Sequence, residues 1–432
     1  MKVIIVGAGI AGLAAGIGLR RKGHDVKIFE RSSLLREVGA AINVCPNASH
    51  VLAQWDFDVR RARMVEAHRH LLISGTSLDT ISELQYPDFT GLCGGPWLLA
   101  HRVDLHSELR RVATDPAGLG TSVDIILRAE VVDYDTEKGF ITLANGSRHH
   151  ADLIVGADGV HSSALRHVTG QATPVVTTGW AVFRFLLAVE ELRADPDIAC
   201  LLEGGATKLE DGLMKIFAVE GHMRRLVWYP CADNSIQNFV AVHEDRETGD
   251  HEREDWQRSA EVEDVLSYFH DFHPDVLKII RKATSITRWP LLYRDPIPTF
   301  SKGCLLLIGD AAHPMLPHQG QGGAQAIEDA AALGEVFADL QPDPPRDEIR
   351  RRLELFEKIR LKRVSAMQIL SLAGQDQAFR VREQAQQYMP DGVSVPTNQP
   401  EFWDHNFGYD VIEDSKRQLQ TYLKRRPNVA SL

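Results

Sequence analysis

The sequence lacks a long hydrophobic run. Its apolar stretches, such as Cys304 to Ile308, fall far short of the roughly 20 residues that span a bilayer, which with 44% hydrophobic content predicts a soluble protein. A charged leader followed by an apolar stretch and a cleavage site is missing from Met1 to Val6, so no export signal is expected. Cysteine is scarce: Cys45, Cys93, Cys200, Cys231 and Cys304 are scattered, without a C-x-x-C pair for zinc or redox exchange. An odd set of dispersed thiols fits a reducing compartment, and a cytoplasmic location is expected. Basic blocks are also lacking. With 48 basic against 59 acidic side chains and a net charge of −11, the chain offers no patch for a phosphate backbone, which argues against a nucleic-acid partner. No H-E-x-x-H and no histidine with spaced cysteine occurs, so His149-His150 and His270-x-x-His273 read as surface histidines and no metal site is expected.

What is present is a set of glycine-bearing turns. Lys2 to Val6 reads as a strand, Gly7-x-Gly9-x-x-Gly12 follows, a helical pattern runs through Leu13, Ile17 and Leu19, and Val26 to Phe29 reads as the next strand with Glu30 at its end. Glycine permits the tight turn at position 7, a close pyrophosphate approach at position 9 and close helix–strand packing at position 12. Phosphates then sit at the helix N-terminus, and Glu30, eighteen residues after Gly12, can accept from a ribose diol. An acid there disfavours a 2′-phosphate, which excludes NADP as the resident nucleotide and leaves FAD or NAD.

A strand at Asp152 to Val155 enters Gly156-Ala157-Asp158-Gly159, and a strand at Cys304 to Ile308 enters Gly309-Asp310. The three turns lie about 150 residues apart, so one nucleotide domain must be assembled from distant pieces. Between them Ala181 to Val189, Leu213 to Val219, Leu226 to Tyr229 and Phe239 to His243 alternate apolar and polar residues, as an antiparallel sheet with one wet face requires. Helices are expected at Leu105 to Val112, Gln325 to Phe337, from residue 346 to about Tyr388, and at Asp414 to Lys424. The charged run Arg346 to Arg352 reads as a solvated helix face.

Ala151 to Arg166 (ADLIVGADGVHSSALR) and Gly303 to Pro314 (GCLLLIGDAAHP), in this order after the first turn, closely resemble the second and third fingerprints of the group A flavoprotein aromatic hydroxylases. The resemblance runs nearly end to end. The segments Gly179 to Phe185, Tyr229-Pro-Cys and Gly408-Tyr409-Asp410 are similar to the salicylate hydroxylase-like branch, especially its fungal members. It implies a Rossmann-type FAD-binding domain with an inserted β-rich substrate domain and a helical C-terminal section. The expected boundaries are 1–75, 98–175 and 290–345 for the FAD-binding domain, 76–97 and 176–289 for the substrate domain, and 346–432 for the C-terminal section.

The resemblance also assigns residues. Asp310 would hold the ribityl hydroxyls of a non-covalent FAD, Arg102 in His101-Arg102-Val-Asp would meet the pyrophosphate, and Asp158 would belong to the same cofactor site. Pro314 and the Gly320, Gly322, Gly323 loop would line the flavin pyrimidine, where a helix N-terminus stabilises negative charge. Ala41 stands in Gly39-Ala-Ala-Ile-Asn where Gly-Ala-Gly-Ile is more common, close to the flavin. The implied chemistry is that of a single-component monooxygenase: NADH or NADPH reduces FAD, O2 adds to give a C4a-hydroperoxyflavin, and oxygen passes to a small phenolic or related aromatic substrate. The outcome can be hydroxylation, decarboxylative hydroxylation, dearomatisation or epoxidation. No second GxGxxG exists, so the nicotinamide would bind transiently beside FAD. Arg184 pairs with a substrate phenolate or carboxylate, or points from its strand to solvent. Tyr229 hydrogen-bonds substrate or caps the core, and His313 moves a proton or positions its loop. The rival activities are a dehydrogenase or reductase that uses no oxygen, and a flavin-binding protein without turnover. A monomer or homodimer is expected.

Overall fold

The computed structural model describes residues 1–33, 40–171, 173–246 and 258–425. Strand Lys2–Val6 carries four consecutive apolar residues, Val3 to Val6, buried on both faces, which places it centrally in a parallel sheet. The six-stranded sheet has the order Ser301–Lys302, Leu305–Leu307, Leu153–Gly156, Lys2–Val6, Asp25–Phe29, Asp124–Ile126. All neighbours run parallel except the short edge strand Ser301–Lys302. Parallel strands deliver their carboxyl ends to one edge, so Gly7, Glu30, Ala157 and Ile308 emerge side by side although they are far apart in sequence.

Helix Ile10–Arg20 packs against helix Gly322–Val336 through glycine. A Cβ on Gly18 would lie 2.5 Å from the Ala330 carbonyl oxygen, and one on Gly334 would lie 2.8 Å from that of Gly18. The helix that follows the third fingerprint is thereby held backbone-to-backbone against the one that follows the first. It begins at Gly322, three residues before the apolar pattern becomes helical, because Gly320 in a left-handed turn (φ 64°) sets the start.

The second sheet has eight strands in the order Arg258–Ala260, Ile286–Tyr293, Val176–Ala188, Ile236–Glu244, Arg225–Cys231, Leu213–Ala218, Arg69–Ser74, Thr80–Gln85. It is not wholly antiparallel as expected: Leu213–Ala218 and Arg69–Ser74 run parallel, because the first two strands arrive from another part of the chain and not through a hairpin. Strand Arg69–Ser74 lies within the stretch 1–75 and pairs in this sheet. One face packs Phe183, Phe185, Phe217, Trp228 and Phe239 against helices Val262–Phe269 and Pro274–Ile280. Burial of each such side chain contributes roughly 1.5–3 kcal/mol. The opposite face carries Val182, Val242 and Leu291, which pack with Leu316 from the loop after the third fingerprint.

The C-terminal region is helical, with Arg346–Leu370, Gln399–Phe407 and Val411–Lys424. The last begins at Val411 because Asp410 caps it, accepting from Ile412 and Glu413 N–H at 3.0 Å each. The run Arg346 to Arg352 is not a fully solvated face. Glu348 and Arg352 are buried, and Arg352 Nε donates to Glu348 at 2.8 Å while its Nη1 donates to the Val336 carbonyl at 2.5 Å. That pair anchors the long helix to the end of Gly322–Val336. Among the described residues no helix is long and apolar enough to cross a membrane. His270 and His150 are exposed, and His273 caps Pro274–Ile280.

Candidate active site

The first turn is built for an anion. Gly7 takes φ 103°, and a Cβ there would lie 2.4 Å from the Ala157 carbonyl oxygen; one on Gly12 would lie 1.9 Å from that of Gly7. Gly9 differs, because a Cβ there would meet nothing within 4 Å. Gly9 is also the N-cap of Ile10–Arg20, with no side-chain cap and no acid in the first turn, so its N–H groups are left for a phosphate. Glu30 accepts from Ala8 N–H and Ser32 N–H at 2.8 Å each, which fixes its carboxylate at the mouth of the loop.

The second and third turns face it. Asp158 accepts from Ser163 N–H at 2.7 Å and from its hydroxyl at 3.1 Å through Oδ2, while Oδ1 is buried without a hydrogen-bond partner. Asp310 is solvent-exposed although protein surrounds it, so it opens into a cleft near Arg102, Arg294 and His313. The protein mass around it pushes its pKa up, opposed by the charges of His313, Arg102 and Arg294. Arg102 opens helix Arg102–Thr114, half-buried, its N–H bound to the Ala40 carbonyl at 2.9 Å. An uncapped helix start with open space at Gly9, a buried carboxylate oxygen without a partner and a carboxylate opening into the cleft together fit a dinucleotide such as FAD.

Pro314 is buried, and Gly320, Gly322 and Gly323 lead into helix Gly322–Val336. A Cβ on Gly323 would press on Ile42 Cδ1 at 3.0 Å, so this loop lies against strand Ala41–Val44. Ala41 is bound from the other sheet: its N–H donates to Asn238 Oδ1 at 3.1 Å. Gly39, its neighbour in the motif, lies outside the described residues.

Arg184 and Tyr229 share one face of the eight-stranded sheet. Arg184 pairs with Val240 and Thr287 across the sheet, and the alternation puts it with Val182 on the cleft side while Phe183 and Phe185 enter the aromatic core. It is half-buried, and its guanidinium carbon lies 5.3 Å from the Trp289 ring centroid. Burial, then the nearby Arg102 charge, push its pKa down to about 10 against the pull of Tyr229. Among the described residues no carboxylate forms an ion pair with it. Tyr229 is buried on the cleft side, and burial raises its pKa.

His313 is 1% exposed, so its ring is part of the interior. Its Nε2 meets Asp329 Oδ2 at 2.5 Å, and its Nδ1 is buried without a partner. Asp329 also accepts from Gly309 N–H at 3.0 Å and from Arg360 Nε at 2.8 Å. Arg360 bridges to Glu328, which Arg363 holds through two contacts of 2.8 Å. This buried network lies under the third fingerprint and ties it to helix Arg346–Leu370.

Three residues escaped the sequence reading. Arg294 is buried and donates to the carbonyls of Thr173 (3.1 Å), Ala311 (3.3 Å) and Val160 (2.7 Å). Asn238 reaches Ala41, and Arg360 neutralises Glu328 and Asp329. None stands in a glycine-bearing motif; the only signal is a polar residue in or beside an apolar stretch, as in Ile236 to Val242.

A family profile described as "FAD binding domain" matches residues 113–366, and one described as "Pyridine nucleotide-disulphide oxidoreductase" matches residues 1–193. The FAD-dependent monooxygenase cfoG of Aspergillus candidus is 39% identical over 425 residues, 98% of this chain and 96% of that protein. Hispidin-3-hydroxylase of Neonothopanus nambi is 32% identical over 430 residues, covering 98% and 97%. A salicylate hydroxylase solved as a substrate complex shares the fold, with a TM-score of 0.74, 24% identity and coverage of 100% of this chain and 99% of that one. With these relatives and a cleft that fits FAD, the chain belongs to the group A FAD-dependent aromatic hydroxylases and is an FAD-dependent monooxygenase.

Proposed function

We propose that the protein is a single-component enzyme that takes electrons from NADH or NADPH and hydroxylates a phenolic or related aromatic compound with O2. Ring–H, O2, NAD(P)H and a proton become ring–OH, NAD(P)⁺ and water. FAD, when bound, passes the electrons to oxygen and delivers one oxygen atom to the ring. Gly9 and the start of helix Ile10–Arg20 receive its pyrophosphate with Arg102, Glu30 takes the ribose diol, and Asp310 and Asp158 take polar groups beyond. Pro314 and the Gly320, Gly322, Gly323 loop line the ring, where the helix N-terminus favours negative charge. The parallel sheet with residues 98–175 and 290–345 serves as the FAD-binding domain, and the eight-stranded sheet as the substrate domain.

The observation that carries the substrate side is Arg184, a cation on the cleft face with no described carboxylate to neutralise it. A phenolate or carboxylate beside it supplies the missing charge, and an ionised phenol is the more nucleophilic ring. Tyr229 completes the polar edge. His313, fixed by Asp329, positions the third turn and moves no proton to the substrate. The names of two similar proteins, a hispidin-3-hydroxylase and a salicylate hydroxylase, support ring hydroxylation.

The test is NADH and NADPH oxidation by the flavin-loaded protein with a panel of phenols, with products identified by mass spectrometry. Stimulated oxidation and a product heavier by one oxygen support the reading. Electron transfer to an organic acceptor without oxygenated product supports a dehydrogenase or reductase instead.

A further inference from the structure

The geometry points to Arg294 as a positioning residue for FAD: it fixes the spacing of the Asp158 and Asp310 turns and supplies the counter-charge that Asp310 keeps when the cofactor covers it. This rests on the reading of Asp310 as a cofactor anchor.

Arg294 follows directly on strand Ile286–Tyr293, where the chain leaves the eight-stranded sheet for the cofactor side. Its side chain is 4% exposed. Each of its three carbonyl acceptors belongs to a different segment: Val160 follows Asp158-Gly159, Ala311 follows Asp310, and Thr173 precedes strand Val176–Ala188. Its own carbonyl accepts from Gln368 Nε2 of helix Arg346–Leu370 at 2.7 Å. One planar fork thus spans both aspartate turns and the crossing between the sheets, as a point-charge ammonium cannot.

The charge has a second consequence. Among the described residues no carboxylate forms an ion pair with Arg294, although a buried cation held by carbonyl dipoles alone is costly. The carboxylates acting on it through space are Asp310 and Asp158. The groups that act on Asp310 are His313, Arg102 and Arg294; Asp158 faces Ser163 and lies near Tyr134. FAD closing over Asp310 removes its remaining water, which favours the protonated acid. The Arg294 charge opposes this, so the carboxylate remains an acceptor for hydroxyl donors.

The experiment is the FAD dissociation constant of the apo-protein, by flavin fluorescence, from about pH 5 to about pH 8, for wild type, Arg294→Met, Arg294→Lys, Asp310→Asn and Arg294→Met/Asp310→Asn. Arg294→Met is expected to bind FAD roughly tenfold or more weakly at neutral pH, with a further loss that sets in at higher pH than in wild type. Arg294→Lys is expected to restore the wild-type acid limb without the full neutral affinity. Asp310→Asn in the Met background is expected to remove the added acid dependence. A Met variant weakened by the same factor at every pH, with no recovery of the acid limb in Lys, overturns the proposal in favour of a plain structural staple. Unchanged affinity also overturns it. Should Arg294→Met fail to fold, Arg294→Lys against Asp310→Asn decides: the proposal requires a wild-type-like acid limb in the first and its loss in the second. If Asp310→Asn alone leaves both affinity and acid limb as in wild type, the anchor reading itself fails.

Discussion

Arg360→Leu tests the foundation of the site. Arg360 is fully buried and touches two carboxylates, Glu328 at 2.5 Å and Asp329 at 2.8 Å. Removing one partner of a buried ionic cluster costs about 3–5 kcal/mol, chiefly by leaving a charge uncompensated. Here the lower end applies. Glu328 keeps Arg363 and the Asn47 amide, and Asp329 keeps His313 and the Gly309 N–H. A loss of about 3 kcal/mol corresponds to roughly 6–12 °C in the apparent unfolding temperature of a cooperative unit of 150–250 residues. The assay is thermal release of flavin fluorescence from the holoenzyme beside circular dichroism of the apo-protein. Adding Asp329→Asn should recover part of the loss, because the uncompensated charge is then gone. A loss below about 1 kcal/mol, or a double variant destabilised by the sum of both changes, refutes the reasoning.

Four other outcomes are expected. Gly9→Ala should fold normally, since its Cβ meets only open space, yet weaken FAD binding, read by flavin titration; Gly12→Ala, whose Cβ would strike the Gly7 carbonyl, should lose stability as well. Arg184→Ala should retain FAD while raising the KM for phenols or slowing substrate-stimulated NAD(P)H oxidation roughly tenfold or more; unchanged kinetics would return Arg184 to a structural role. Burial raises the pKa values of Glu328 and Asp329, but Arg363 and Arg360 for the first, and His313 and Arg360 for the second, bring both down to about 2. These folded values lie below the unfolded ones, so their stabilisation is present above about pH 5 and is lost as pH falls toward about 2, which acid titration of unfolding reads directly. Lys215 runs the other way: burial, against the pull of Glu210, pushes its pKa down to about 7. The unfolded chain then binds the extra proton between pH 7 and about 10.5, so stability rises with pH across that window, and Lys215→Met should flatten the slope and add about 1–3 kcal/mol near neutrality.

The nucleotide-binding half was legible because its constraints are local. A glycine that must take φ 103°, an acid at the end of the neighbouring strand and Gly-Asp after an apolar run each leave a mark within a few residues. The eight-stranded sheet was less legible. Strand Ile286–Tyr293 contains Pro290, which cannot donate to a ladder, and the sheet accommodates it where the register of Val176–Ala188 shifts between Thr177 and Ala181. Arg69–Ser74 joins in parallel from a distant segment, which no alternation pattern announces. Arg294, Asn238 and Arg360 were illegible for the same reason: their partners are carbonyls, an amide and carboxylates tens to hundreds of residues away. The charged run Arg346 to Arg352 misled because burial of Glu348 and Arg352 depends on the helix beneath them. For Arg184 the sequence left open whether it met a substrate anion or solvent; the register with Val240 and Thr287 puts it on the Val182 face, half-buried and near the Arg102 charge.

The proposed reaction inserts one atom of molecular oxygen into an aromatic ring bound at the Arg184 face. The most direct measurement is turnover of the holoenzyme under 18O2 with NADH or NADPH and the phenol that most stimulates its oxidation, followed by mass spectrometry of the product. The expected result is one 18O atom per product molecule, absent when the label is supplied as water, with the rate of label incorporation and the stimulation both reduced roughly tenfold or more in Arg184→Ala while FAD stays bound. Product carrying oxygen from water, or complete electron transfer to an organic acceptor with no labelled product, would contradict it.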